Sequence, residues 1–180
     1  MPRYVALFRG INVGKAKRIA MADLRVLLGK LGFTGVRTLL NSGNAVFTAP
    51  AEPAGVLADR IRHAVHKKLG VDALVIVKSA RDIADIIKGN AIGRVATDGS
   101  RLLVAMTNDP TPLMALRKLA QSEWGDEKMH VGKFAAYVWC ANGILQSKAA
   151  VALLGGLEDV GTTRNWATLN KIHALLESEA

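Results

Sequence analysis

One order of secondary-structure signals occurs twice along the chain, and this order restricts the fold more than any other feature. In the first half, an apolar run at 4–8 is followed by a polar, glycine-containing loop. Leu24, Leu27, Leu28 and Leu31 then recur at helical spacing up to Gly32. This pattern predicts a buried strand, a loop and an amphipathic helix.

The next segments complete the first unit. Two β-prone runs, 36–40 and 45–48, flank Asn41-Ser42-Gly43-Asn44, whose residues tolerate the positive φ angles of a hairpin turn. A second amphipathic helix over 57–69 ends at Gly70, and a strand follows over 74–77. The resulting order, β-α-β-β-α-β, is that of the ferredoxin-like, or α/β-plait, unit.

The second half repeats the pattern without repeating the residues. We therefore predict an α+β protein of two ferredoxin-like (βαββαβ) subdomains with antiparallel sheets, plus connecting and C-terminal helices. The first subdomain is expected over 1–78, a connecting helix and loop over 79–100, and the second subdomain with the C-terminal helix over 101–180. The predicted elements after the first unit are a helix at 80–88, a strand at 102–106, a helix at 113–120, strands near 128–131 and 135–139, a helix at 145–154, a strand near 159–162 and a helix at 166–176.

Composition restricts the classes of function. The chain has 24 lysines and arginines against 15 acids, a net charge of +9, so its surface attracts anions such as phosphates or nucleic acid. Aromatic residues make up only 5% of the chain, whereas a base-stacking surface requires exposed rings. A single cysteine, Cys140, excludes an internal disulfide, and no apolar run is long enough to cross a bilayer. We expect a cytoplasmic protein without membrane insertion, cofactor or metal.

The predicted topology brings the polar motifs of the first half together. In a βαββαβ unit the loop after the first strand and the central hairpin lie at the same end of the sheet. Arg9 to Gly14 should therefore lie beside Asn41 to Asn44. In the second half, the same argument places the segment 142–148 beside the entry to the last helix, 162–166.

Each predicted cluster has the chemistry of an anion site. Glycines allow close backbone approach, helix starts offer free N–H groups, and Arg or Lys adds positive charge. The simpler alternative is that Asn, Ser, Thr and Gly are the ordinary residues of turns and helix caps. The candidate ligand-binding residues are Arg9, Asn12, Ser42, Asn44, Ser147, Lys148, Arg164, Asn165, Thr168 and Lys171.

Three other sequence features of known catalytic or metal-binding chemistry lack some of the residues that this chemistry requires. Gly10 to Ala16 differs from a phosphate-binding P-loop in glycine spacing and has Ala16 in place of the Mg²⁺-binding hydroxyl. His63 and His66 lack a further ligand nearby in the sequence, and Ser42 and Ser147 lack a nucleophile-elbow context. Catalytic residues are therefore not assigned, and whether the chain is an enzyme stays open.

Three motifs resemble a known family. Leu7-Phe8-Arg9-Gly10-Ile11-Asn12-Val13-Gly14, Asn41 to Phe47, and Thr163-Arg164-Asn165-Trp166 with Thr168 and Lys171 closely resemble the bacterial family called domain of unknown function 1697. The resemblance implies two ferredoxin-like subdomains and no assigned activity. The chain differs from the family pattern at Lys15, where glycine is usual, at Asn41, where glutamine is frequent, and at Ala167, where a polar residue is common.

The leading functional hypothesis is binding of a small anionic or phosphate-bearing ligand, including a nucleotide, at one or both motif clusters. The first alternative is a nucleic-acid-binding module that uses the basic surface. In the second alternative, the motifs are purely structural. The sequence does not indicate the oligomeric state or the relative orientation of the halves.

Overall fold

The computed structural model describes residues 1–178 as an α+β fold with two four-stranded antiparallel sheets. The described chain divides into two compact units, one comprising 1–81 with 172–178 and the other comprising 82–171.

The first unit follows the predicted element order. Its strand order, β2-β3-β1-β4, is that of a ferredoxin-like sheet. In the central pair, Val5 of β1 is opposite Val46 of β3. The elements are β1 Arg3–Phe8, α1 Met21–Lys30, β2 Thr34–Leu39, β3 Asn44–Thr48, α2 Ala54–Leu69 and β4 Val75–Ser79, followed by α3 Ala80–Lys88.

The second unit has the equivalent strand order, β6-β7-β5-β8. Short 3₁₀ helices occur at Leu116–Gln121 and Ile144–Gln146. The elements are β5 Leu102–Thr107, α4 Thr111–Ala115, β6 Lys128–Val131, β7 Ala136–Trp139, α5 Lys148–Leu157, β8 Gly161–Asn165 and α6 Trp166–Glu177.

Each unit buries an apolar core between its sheet and its helices. In the first, Tyr4, Phe33 and Phe47 stack together, with ring centroids 4.5 Å apart for Phe33 and Phe47. In the second, Leu103 and Ala105 of β5 pack with the buried face of α5. Burial of such side chains is the main favourable term in folding, at about 25 cal/mol per Å² of apolar surface.

Several boundaries differ from the sequence prediction; the helix predicted over 145–154, for example, is α5 over Lys148–Leu157. The helix predicted over 113–120 is divided into α4 and a 3₁₀ helix. The strand predicted near 159–162 instead runs over Gly161–Asn165, because α5 extends to Leu157 and Glu158 then adopts a left-handed φ of 44°. Consequently Arg164 and Asn165 belong to a strand rather than to a turn.

Arg3 fixes the end of α6. Its guanidinium donates hydrogen bonds to the carbonyl oxygens of Leu176, at 2.9 Å, and of Ser178. These are carbonyls that the end of a helix leaves without intrahelical partners. Within residues 1–178, no helix has both the length and the apolar character needed to span a membrane.

Candidate functional site

The loop between β1 and α1 concentrates positive charge. Arg9, Lys15, Lys17 and Arg18 lie within residues 9–20, and this segment contains no acid. Arg9 is half-buried, whereas the other three side chains are exposed. The loop thus presents cations at the end of β1.

Asn12 holds this loop in shape. Its backbone has a φ of 56°, a left-handed conformation that asparagine tolerates better than most residues. Its side-chain Oδ1 accepts a hydrogen bond from the Ile19 N–H at 2.8 Å, and its Nδ2 donates to the carbonyls of Ile19 and Asn41, each at 2.8 Å. Because its amide is occupied by these contacts, Asn12 positions the loop and the hairpin against each other.

The β2-β3 hairpin packs directly on the same loop. The Phe8 N–H donates to the Gly43 carbonyl at 2.9 Å. Gly43 has a φ of 87°, and a Cβ at this position would lie 2.5 Å from Ile11 Cδ1. The conformation and the contact both require glycine. The structure therefore brings the two first-half motifs together.

Ser42 and Asn44 have different surroundings at this hairpin. Asn44 is fully buried, and its Nδ2 donates to the Leu39 carbonyl at 2.7 Å and to Ser42 Oγ at 3.2 Å. Ser42 is exposed. Asn44 thus stabilises the turn, while Ser42 lies on its surface.

A cavity of about 390 Å³ opens where the loop, the hairpin and α1 meet. Ala20 precedes α1, and no side chain caps the first turn of that helix. The start of an α-helix carries unpaired N–H groups and a partial positive charge. Asp23 is the acid of this first turn. The cavity is lined by Asn12, Arg18, Ile19, Ala20, Met21 and Asn41.

The start of α5 is already occupied by the protein's own groups. Ser147 is buried, and its Oγ accepts a hydrogen bond from the Ala150 N–H at 2.9 Å, which makes it the N-cap. Glu127 Oε2 accepts the Ala149 N–H at 3.0 Å. Lys148 is exposed beside them. A ligand anion at this helix start would compete with the Glu127 carboxylate.

Arg164 and the face of the sheet that carries α5 can be compared through the strand register. In the sheet register Arg164 is opposite Val104 on β5. Directly opposed residues project to the same face, and neighbouring residues of a strand alternate between faces. Arg164 therefore lies on the face opposite that of Leu103 and Ala105, the face on which α5 packs. The ends of β7 and β8 nevertheless lie at the same end of β5, since Trp139 is opposite Leu102 and Asn165 is opposite Leu103.

The environment of Arg164 is enclosed. The side chain donates from Nη1 to Thr162 Oγ1 at 3.1 Å and to the Thr163 carbonyl at 2.7 Å. Burial disfavours the charged form and lowers the pKa of Arg164 to about 10. The group remains a cation at neutral pH.

The remaining predicted residues lie at the start of α6. Asn165 Oδ1 accepts the Thr168 N–H at 2.8 Å, so Asn165 caps this helix. Thr168 is buried, and Lys171 is exposed. These contacts give Asn165 a structural role.

Three other chemistries find no support in the described part of the chain. No group of three or more His, Cys, Asp and Glu residues within 1–178 is arranged to hold a metal ion. Cys140 is buried, and burial raises the pKa of its thiol, which disfavours the nucleophilic thiolate. Tyr4 and Phe47, on the two central strands of the first sheet, are core residues and offer no exposed stacking surface.

Sequence reasoning missed Glu127 as a partner of α5. Glu127 and Ala149 are 22 residues apart, and no local motif links a carboxylate before β6 to that helix start. The absence of a capping side chain at Ala20 is, in contrast, readable from the sequence, since alanine lacks a side-chain acceptor.

The two four-stranded antiparallel sheets with their helices define an α+β protein of two ferredoxin-like units. The chain belongs to the family described as protein of unknown function (DUF1697), whose model matches residues 1–137.

A solved structure has the same fold. The conserved bacterial protein SP0830 from Streptococcus pneumoniae is similar to this chain with a TM-score of 0.78 and 24% sequence identity, over 98% of this chain and 99% of that protein. None of the curated proteins matches the chain.

Proposed function

We propose that the chain binds a small phosphate-bearing or other anionic ligand at the start of α1. The observation that carries this proposal is the cavity at an uncapped helix start, edged by Arg18 and by the loop that Asn12 holds. Helix starts preceded by glycine-containing loops bind phosphate through free N–H groups and the helix dipole. Arg9 and Ser42 lie on the same loop and hairpin and are additional candidates.

The distribution of charged residues favours the start of α1 over the second-half motifs as the binding site. Residues 9–20 contribute four cations and no acid, and Asp23 is the acid in the first turn of α1, whereas at the start of α5 Glu127 already accepts the Ala149 N–H. Arg164 is buried and donates hydrogen bonds to Thr162 and to the Thr163 carbonyl. We therefore restrict the ligand-binding hypothesis to the first unit and assign cap or scaffold roles to Ser147 and Asn165.

The loop chemistry favours binding over triphosphate hydrolysis. Ala16 occupies the place where a P-loop has its Mg²⁺-binding hydroxyl. The ligand class is accordingly a phosphate ester or diphosphate held by N–H groups and arginine. No reaction is part of the proposal.

The experiment is a thermal-shift titration of the intact chain with pyrophosphate and adenosine monophosphate, each against sodium chloride of equal ionic strength. A ligand at one hundred times its Kd stabilises the folded state by about 2.7 kcal/mol. We expect stabilisation of the unmodified chain and its loss in an Arg9→Ala, Arg18→Ala variant. The matched control is Arg117→Ala, Lys118→Ala, which removes two exposed cations from the second unit.

Two outcomes decide against the proposal. One is an absence of any shift beyond that of sodium chloride. The other is an equal shift in the unmodified chain and in the Arg9→Ala, Arg18→Ala variant.

Net charge supports one alternative, a nucleic-acid-binding module. The +9 charge favours binding of a polyanion, but the aromatic side chains of β1 and β3 are buried and unavailable to bases. Fluorescence anisotropy with labelled RNA and single-stranded DNA separates the two. Tight binding of these, with a steep decrease in salt and no response to pyrophosphate, favours the alternative.

A further inference from the structure

A second cavity of about 540 Å³ lies in the groove between α1 and α2 of the first unit. Its apolar side chains come from both helices and the residue after α1: Val26 and Leu27 from α1, Leu31 directly after it, and Ala64 and Leu69 from α2. Val26 is 58% exposed although it lies on an amphipathic helix. The groove therefore presents apolar surface to solvent.

Positive charge surrounds this apolar surface. Lys30, Lys67 and Lys68 line the groove together with His63, and Asp23 is the one acid among the lining residues. Lysines in the last turns of α1 and α2 are favourable for each helix by itself, because a helix end carries partial negative charge. The apolar lining residues are not part of that explanation.

We propose that this groove binds an amphipathic small-molecule anion, with an apolar chain against the apolar side chains of the two helices and a carboxylate, sulfate or phosphate group at the lysine-bearing rim of the cavity. Three ammonium groups against one carboxylate give the charge complementarity. The apolar residues provide the burial that retains the chain of the ligand.

The size of the groove favours a small molecule over a protein segment. The volume falls within the range of about 300–1,000 Å³ that is typical of small-ligand pockets. The ten residues of α1 limit the groove to roughly 15 Å in length. A stable protein interface buries about 800 Å² per partner, which requires a longer surface.

This site goes beyond the anion site proposed at the start of α1. The two cavities share no lining residue, so a variant of one leaves the other intact. Failure of one proposal is therefore distinguishable from failure of the other.

The test is a ¹H–¹⁵N NMR titration of the intact chain with decanoate, decanol and decylammonium, below the concentration at which each aggregates. These probes share a chain and differ in the charge of the head group. We expect saturable shifts of α1 and α2 amides with decanoate, and weaker or absent shifts with the other two. A Lys30→Gln, Lys67→Gln variant should bind decanoate about tenfold more weakly. Lys118→Gln, an exposed position in the second unit, is the control and should bind as the unmodified chain does.

A second variant, Val26→Ser, probes the apolar half of the site. It should weaken decanoate binding while preserving the fold, which circular dichroism of the variant checks, because Val26 is largely exposed. Equal binding of decanol and decanoate overturns the proposal, as does an absence of saturable shifts in α1 and α2. Binding to anionic phospholipid vesicles without binding of monomeric decanoate overturns it in favour of a membrane surface.

Discussion

Asn12 and Asn41, 29 residues apart in the sequence, are joined by a hydrogen bond of 2.8 Å from the Asn12 side-chain Nδ2 to the Asn41 carbonyl. Two further bonds at 2.8 Å tie the same side chain to the backbone of Ile19. One amide thus fixes both sides of the cavity at the start of α1. The geometry of the candidate site depends on this residue.

Replacing Asn12 should destabilise the chain through two separable terms. Asn12→Gly keeps the left-handed backbone accessible but removes the side-chain hydrogen bonds, and we expect a loss of about 1–3 kcal/mol. Asn12→Ala should lose about 1 kcal/mol more, because alanine disfavours a φ of 56°. Urea unfolding of both variants measures the two terms. Equal, unchanged stabilities would show that the loop is held by other contacts.

Gly43 should be intolerant of any side chain. Gly43→Ala places a methyl group 2.5 Å from Ile11 Cδ1 and imposes a positive φ on alanine, for a combined cost of about 2–5 kcal/mol. Gly10→Ala is the matched control, since Gly10 has a φ of 65° and nothing within 4 Å of the added Cβ. It should lose only about 1–2 kcal/mol. Chemical denaturation of both variants measures the difference, and identical losses would contradict the close packing of the hairpin on the loop.

The second-half residues Ser147 and Glu127 should affect stability and leave anion binding unchanged. Ser147→Ala removes the N-cap of α5 and should cost about 1 kcal/mol. Glu127→Gln removes the carboxylate charge from the same helix start and should cost about 0.3–1 kcal/mol. Lys148→Ala is the control, with an exposed side chain. Loss of pyrophosphate binding in Ser147→Ala at unchanged stability would return Ser147 to the list of ligand-binding residues.

Tyr137 should make the second unit sensitive to alkaline pH. Burial raises the pKa of Tyr137 to about 12, whereas a tyrosine in the unfolded chain ionises near pH 10. Between these values the folded chain binds more protons than the unfolded chain, so the free energy of unfolding falls as pH rises. The contribution is complete below about pH 10 and is lost as pH rises through about 12.

The Tyr137→Phe variant measures this contribution. It also removes the hydrogen bond that the phenol donates to the Ile86 carbonyl, so it should be less stable by about 1 kcal/mol at neutral pH. Its unfolding free energy should decline less between pH 10 and 12 than that of the unmodified chain. Parallel pH profiles would show that the phenol is not enclosed.

Much of the fold was accessible from local patterns. Helical spacing of leucines and the hairpin residues 41–44 predicted the first unit, because each signal reflects short-range geometry. Gly70, predicted to end α2, does so with a φ of 69°. The topology of a βαββαβ unit then predicted that the loop after β1 lies beside the hairpin. The hydrogen bond from Asn12 to the Asn41 carbonyl joins these two segments.

The second half shows where local patterns are insufficient. The strand β8 is polar at Thr162, Thr163 and Arg164, so neither hydrophobicity nor alternation distinguished it from a turn. Because Arg164 is opposite Val104 in the sheet register, its side chain projects from the face of the sheet opposite to α5. The role of Glu127 depends on tertiary packing across 22 residues and has no sequence signature.

A residue-resolved titration of the intact chain with pyrophosphate tests the central claim most directly. The start of α1 and the loop 9–20 are predicted to form the anion site, so ¹H–¹⁵N NMR should show saturable shifts of the amides at 20–23 and of Arg18. Those shifts should weaken in the Arg9→Ala, Arg18→Ala variant. An absence of saturable shifts, or shifts concentrated at the start of α5, would contradict the account.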